Sequence, residues 1–227
     1  MPWITLLVAI LALVFGPGLW VRRVMARYSR PGDRYEGTGG ELARHLLDQA
    51  GLQHVRVEET DQGDHYDPRE KAVRLMPDKL RGRSLTAVTV AAHEVGHALQ
   101  DAEGYPPLRL RTRMVESMQH IQRLGAGILV AAPFIGLLTR APQITGLMFI
   151  GGFLSLATAT VVHLLTLPTE FDASFNRALP LLQRGPLLHR VDLPHARRLL
   201  RAAALTYVSA SLMSLLNIAR WWALLRR

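Results

Sequence analysis

No cysteine occurs among the 227 residues. Disulfides and thiolate metal sites are therefore excluded, and any metal must be held by His, Asp or Glu. The same absence fits a reducing compartment. Acidic residues are the scarcer charge, 18 against 27 Lys and Arg, which gives a net charge of +9. An excess of that size suits either nucleic acid or a membrane surface rich in anionic lipid. No recognisable nucleic-acid-binding motif accompanies it, so no nucleic-acid partner is expected. Internal repeats and low-complexity tracts are missing as well. The length suits one compact domain with a few membrane segments rather than two large domains.

Charge is missing altogether from four long stretches. The first, Met1 to Val21, is followed directly by Arg22, Arg23, Arg27, Arg30 and Arg34. No basic region precedes it and no small-residue cleavage site follows it, so it reads as an uncleaved anchor rather than a signal peptide. The second lies between Arg123 and Arg140 and reaches spanning length if it starts near Met118 or His120. The third runs from Ala141 to Thr169, so the two predict a hairpin turning near Arg140 and Pro142. The fourth, Ala202 to Ala219, carries Ser, Thr and Asn and ends in Arg220-Trp221-Trp222, an interfacial composition. Whether it spans or lies in the interface stays open. Seventeen Lys and Arg lie from Arg22 to Arg123 and six from Arg177 to Arg201, but only Arg140 sits in the hairpin turn. The positive-inside tendency then puts both polar segments on the cytoplasmic side of the inner membrane. The expected organisation is an N-terminal membrane anchor over 1–21 and a cytoplasmic part over 22–123. A transmembrane hairpin over 124–167, a second cytoplasmic part over 168–201 and a C-terminal membrane or interfacial helix over 202–227 complete it.

Within the first polar part, Gly40 to Ala50 reads as a short amphipathic helix closed by Gly51. His54–Glu58 and Lys71–Leu75 alternate apolar with polar, as half-buried strands do. The intervening DQGDHYDPRE is dense in turn residues, which predicts a hairpin with a long polar loop. Ser84 is a natural N-cap for a helix over Leu85 to about Ala102, ending before Gly104 and Pro106.

That helix contains AVTVAAHEVGHALQ. His93 and His97 are four residues apart, so one turn puts both imidazoles on the same face. Two neutral imidazoles suit zinc, whose catalytic sites take three protein ligands and leave a position for water. Glu94, beside the first ligand, is placed to take a proton from that water. Gly96 allows a backbone or a substrate to approach the helix closely. The bland alternative is a pair of satisfied core histidines, but two His and a Glu among small apolar residues would then be polar groups on a packed face.

A third ligand must come from elsewhere, because no further His follows at short spacing. Glu170 lies 73 residues beyond His97, in LPTEFDASFNRAL, just past the third apolar stretch. A helix is expected to begin near Thr169 after Pro168, with Glu170 and Ser174 on one face and Asp172 on another. On chemistry alone Asp172 competes, and a carboxylate near a helix N-terminus also favours the macrodipole without any metal.

The run VAAHEVGHALQ, with DHYDP at Asp64 to Pro68 upstream and LPTEFDAS at Leu167 to Ser174 downstream, resembles the YugP-type family of neutral zinc metallopeptidases. More distantly it is similar to HtpX-like membrane proteases and prenyl-protein endopeptidases. The order of anchor, HExxH helix, apolar hairpin and EFDAS-like helix also matches. In the distant families a Glu opening an ExxxD-like stretch binds zinc, and it aligns with Glu170. The fifth position here is Ser174 rather than Asp, so the supporting role of that Asp falls to Asp172 or Ser174.

The resemblance implies peptide hydrolysis with one Zn²⁺ per chain, bound by His93, His97 and Glu170. The expected fold is α+β and mostly helical, a zincin-like domain with a small hairpin or sheet plus about four membrane helices. Candidates for an oxyanion donor are His163, Tyr66, Asn176 and Arg177, and His65 is a candidate supporting residue. The strand at Lys71–Leu75 is expected to bind an extended peptide. Expected partners are protein or peptide substrates, membrane proteins or their juxtamembrane tails among them, and the lipid bilayer itself. The rival reading is a non-hydrolytic, metal-binding membrane scaffold or adaptor, in which Glu94 would have no chemical task.

Overall fold

A computed structural model of the chain describes residues 2–184, 187–206 and 208. They fall into two compact units. One takes in the start of the chain through Gly16 together with Leu110–Thr166, and the other Pro17–Arg109 together with Leu167–Thr206.

The second unit is built around α4, Leu85–Ala102, whose boundaries match the expected helix. Its start is fixed by the Ser84 hydroxyl, which accepts from the Ala87 N–H at 3.2 Å. Side chains along most of its length are buried, because Ala, Val, Thr and Gly let neighbours close in on every face. Helix α2, Gly39–Gln49, packs on it through Ala43, Leu46 and Leu47. Thr38 and Glu41 close the start of α2 reciprocally, the Thr38 N–H donating to Glu41 at 2.7 Å and the Glu41 N–H to Thr38 at 3.1 Å. A one-turn helix, α3 (Pro77–Leu80), leads into α4. Helix α8, Leu193–Ala204, lays Ala196, Leu199 and Leu200 against α4 and leaves Arg197, Arg198 and Arg201 outside. The end of α1, Pro2–Tyr28, adds Val21 and Val24 to this core.

The sheet departs from the expected hairpin. Strands β1 (Arg56–Glu59) and β3 (Ala72–Leu75) run parallel, and a third strand, β2 (His65–Asp67), pairs antiparallel with β3, giving the order β1-β3-β2. The polar loop reverses twice rather than once. Gly63 and Lys71 take left-handed backbone conformations (φ 94° and 50°), and Asp64 accepts the Met76 N–H at 2.7 Å. The turn-like DHYDP run therefore contains an edge strand, with Tyr66 buried. Because β3 is paired on both edges, it has no free edge for a peptide, and that expectation is withdrawn.

Pro168 does not begin a helix either. Helix α6 runs unbroken over Pro142–Phe171, then widens into a π-helix at Asp172–Ala178 before α7 (Leu179–Gln183). A proline removes one donor from the ladder, which a long helix with strong flanks absorbs.

In the other unit, α5 (Pro106–Thr139) turns at Arg140 (φ 53°) into α6, where the hairpin tip was expected. The two helices meet through glycine. A Cβ on Gly125 would fall on Ser155, and one on Gly152 would come within 2.5 Å of Leu129. Leu137 and Leu138 stay 82% and 85% exposed, with Phe134 and Leu147 close behind. Among the described residues one helix, α5, is long and apolar enough to cross a membrane by length and composition. Most of the fourth apolar stretch, Ala202–Ala219, lies outside the described residues.

Candidate metal centre

His93 and His97 emerge from α4 and Glu170 from the last turn of α6, all three buried (4%, 3% and 1% exposed). Each histidine Nε2 lies 3.3 Å from the Glu170 Oε2. The three ligand atoms are within 4.8 Å of one another. The two rings stand nearly edge to face, at 76°.

The hydrogen bonds behind the rings decide their tautomers. The Gln100 amide nitrogen donates to the Thr169 carbonyl and to Asp172 Oδ2, both at 2.8 Å. Its oxygen is thus turned towards His97 Nδ1, 2.9 Å away, and accepts a hydrogen bond from that N–H. The Ser174 hydroxyl spends its one hydrogen on the Leu200 carbonyl at 3.2 Å, so towards His93 Nδ1, at 3.0 Å, it is an acceptor. Both rings consequently carry hydrogen on Nδ1 and turn Nε2 lone pairs towards a carboxylate oxygen. Three electron-rich atoms facing one another in a dry site suit a cation between them. The His–Glu separations also match the edge of a tetrahedron with bonds of ~2.0–2.1 Å, about 3.3–3.4 Å. The donor set, two imidazoles and one carboxylate without sulfur, fits zinc.

The backbones that carry these groups touch at Gly96. A Cβ there would stand 2.5 Å from the Ala173 carbonyl oxygen, so only glycine lets α4 and the π-helix come together. The π-helix brings Ser174 to His93 and Asp172 to Gln100, a use of that rare geometry often met at functional sites. Burial pushes the Asp172 carboxyl up, but hydrogen bonds from Gln100, Arg177 and Asn176 outweigh it and hold the group below the usual carboxylate range. Glu94, 6% exposed, sits beside His93 on the same buried helix.

The remaining expected residues are engaged elsewhere. The Tyr66 hydroxyl donates to Asp101 at 2.7 Å, and Asn176 to Asp172 at 2.8 Å. Arg177 binds Asp172 and Glu103, each at 2.8 Å. His65 pairs through Nδ1 with the Gly63 carbonyl at 2.8 Å. The side chain of His163, on α6, is outside those described. Two supports were not anticipated. Gln100 had a signal, since it stands three residues after His97 on the same helix. The Leu200 carbonyl had none, because every residue carries a carbonyl.

Two buried histidines one turn apart, each with a fixed hydrogen-bond partner, and a distant buried glutamate form a group with the donor set of a zinc site. Over residues 3–226 the chain matches the family described as "Putative neutral zinc metallopeptidase", and it belongs to that family. It is similar to the "Putative membrane protease YugP" of Bacillus subtilis (strain 168), 35% identical over 223 residues, which are 97% of this chain and 95% of the relative. No solved structure matches it.

Proposed function

We propose that the chain is a membrane-embedded zinc endopeptidase, with His93, His97 and Glu170 as ligands and Glu94 as general base. The observation that carries this reading is the convergence of two Nε2 lone pairs and one buried carboxylate on a single point. When bound, zinc supplies Lewis acidity towards the peptide carbonyl and acidifies water. The Glu94 carboxylate takes the proton from the attacking water and delivers it to the leaving amine. Gln100 and Ser174 hold the two rings in the tautomer the ligands need. Among the described residues the free strand edges are those of β1 and β2. The β2 edge, held to α4 by the Tyr66–Asp101 bond, is the better seat for an extended substrate.

The membrane arrangement follows the charge pattern. Residues 1–21, the hairpin over 124–167 and the stretch over 202–227 contact the bilayer, and the polar parts over 22–123 and 168–201 face the cytoplasm. Substrates are then membrane proteins or their juxtamembrane tails.

The first test is metal content of the detergent-purified chain. Near-stoichiometric zinc is expected in the wild type and in Glu94→Gln, and little in Glu170→Ala. No zinc in the wild type after reconstitution would sink the reading. Cleavage of a membrane-tethered peptide should vanish in Glu94→Gln, and undiminished cleavage there would leave the base unassigned. Soluble unfolded chains cut as fast as tethered ones would remove the substrate class.

A further inference from the structure

Away from the metal centre, the end of α1 and the start of α8 enclose a cavity of about 290 Å³. It is lined by Arg27, Tyr28, Arg30, Arg34, Val191 and His195, among others. Arg34 is already committed, its Nε and Nη2 donating to the two Asp192 oxygens at 2.6 and 2.7 Å. Asp192, 2% exposed, also accepts from the Tyr35 hydroxyl at 2.6 Å, so its charge is fully matched. Among the described residues neither Arg27 nor Arg30 has an ion pair or a hydrogen bond from its guanidinium, Arg27 only lying 6.0 Å over the Tyr28 ring. The Tyr28 hydroxyl and His195 Nδ1 are joined at 3.0 Å, which leaves His195 Nε2 uncommitted.

A concave site with two uncompensated guanidinium groups and a hydroxyl–imidazole pair attracts an anion with several acceptor oxygens. Arginine's fork of donors matches phosphate in particular. We propose that this cavity binds a phosphate group, either the headgroup of an anionic phospholipid or a small soluble phosphate. Two features favour the lipid. Arg27 follows the charge-free run Met1–Val21 by six residues, and Val191, 70% exposed, offers apolar surface beside the cations.

The full chain in detergent is titrated with phosphatidylglycerol and with phosphatidylcholine, and bound lipid is counted by native mass spectrometry. In parallel its melting is followed in inorganic phosphate against chloride at equal ionic strength. The wild type should prefer phosphatidylglycerol about 10-fold. Arg27→Gln/Arg30→Gln should lose that preference, while Arg197→Gln/Arg198→Gln, which removes the same charge from exposed α8 positions, should keep it. Stabilisation by inorganic phosphate that only the cavity variant loses, without lipid preference, identifies a soluble phosphate as the occupant. Equal losses in both double variants would show diffuse charge and overturn the site. So would a cavity variant that binds both probes like the wild type, or a wild type that binds neither. Zinc content equal to the wild type shows that each variant is folded.

Discussion

The two histidines of the proposed metal centre have the same assigned task and different backing. His97 leans on Gln100, from its own helix, and Gln100 is fixed in turn by Asp172 and the Thr169 carbonyl. His93 leans on Ser174, from a segment 81 residues away, whose own anchor is a backbone carbonyl of α8. The first arm ends on a carboxylate; the second contains only neutral groups. Charge-assisted hydrogen bonds are roughly twice as strong as neutral ones. The difference teaches that equal ligands need not be equally held, and that the weaker arm depends on how α8 is seated.

Removing a ligand removes the difference altogether. His93→Ala, His97→Ala and Glu170→Ala should each leave less than about a tenth of the bound zinc after dialysis, measured by elemental analysis. Survival of zinc in any one would mean that residue is not a ligand.

Cutting the supports separates the arms. Gln100→Ala should weaken zinc binding about 100-fold and Ser174→Ala about 10-fold, within the range usual for partners behind metal-bound histidines. Competition with a chelator measures both. Ser174→Asp gives His93 an ionised acceptor and should narrow the gap. If Ser174→Ala costs more than Gln100→Ala, the ranking of the arms is reversed.

Gly96→Ala strikes both arms, since the added methyl drives against Ala173 and displaces the π-helix that carries Ser174 and Asp172. The expected loss is about 1–3 kcal/mol of stability, as for overpacking elsewhere. An unchanged melting temperature would show that the two backbones can part freely.

The smallest effect concerns the seat of α8. Burial pushes the Asp192 carboxyl up, but Arg34 and Tyr35 overcome this and hold it below its ordinary value of 3.8. A carboxyl lowered by folding stabilises above its unfolded pKa and ceases to do so as pH falls through the folded one. Asp192→Asn should therefore cost about 1 kcal/mol at pH 5–8, a modest figure because Arg34 is one-third exposed, and progressively less below pH ~4. Thermal melting against pH checks it. A difference that persists at pH 2 would mean the contribution is not ionic.

What the sequence disclosed followed the same division between near and far. Spacing of four on an apolar helix sufficed to bring His93 and His97 together, and Ser84 to mark where that helix starts. Glu170 needed the resemblance as well, because a carboxylate beyond an apolar stretch is common. The parallel pairing of β1 with β3 stayed hidden because alternation reports a strand but not its partner. The π-helix stayed hidden because a single inserted residue per turn leaves the composition unchanged. Pro168 misled, since a proline marks a helix boundary only where the flanking sequence also favours one.

The 73-residue step from His97 to Glu170 also sets an order in time. At ~5–20 residues per second, a growing chain has both histidines for about 4–15 s before the carboxylate is made, and longer before α8 reaches Ser174. The apolar hairpin is made in that interval. The proposed centre is therefore completed only after the apolar hairpin has been made, and until then a nascent chain holds both histidines without their carboxylate.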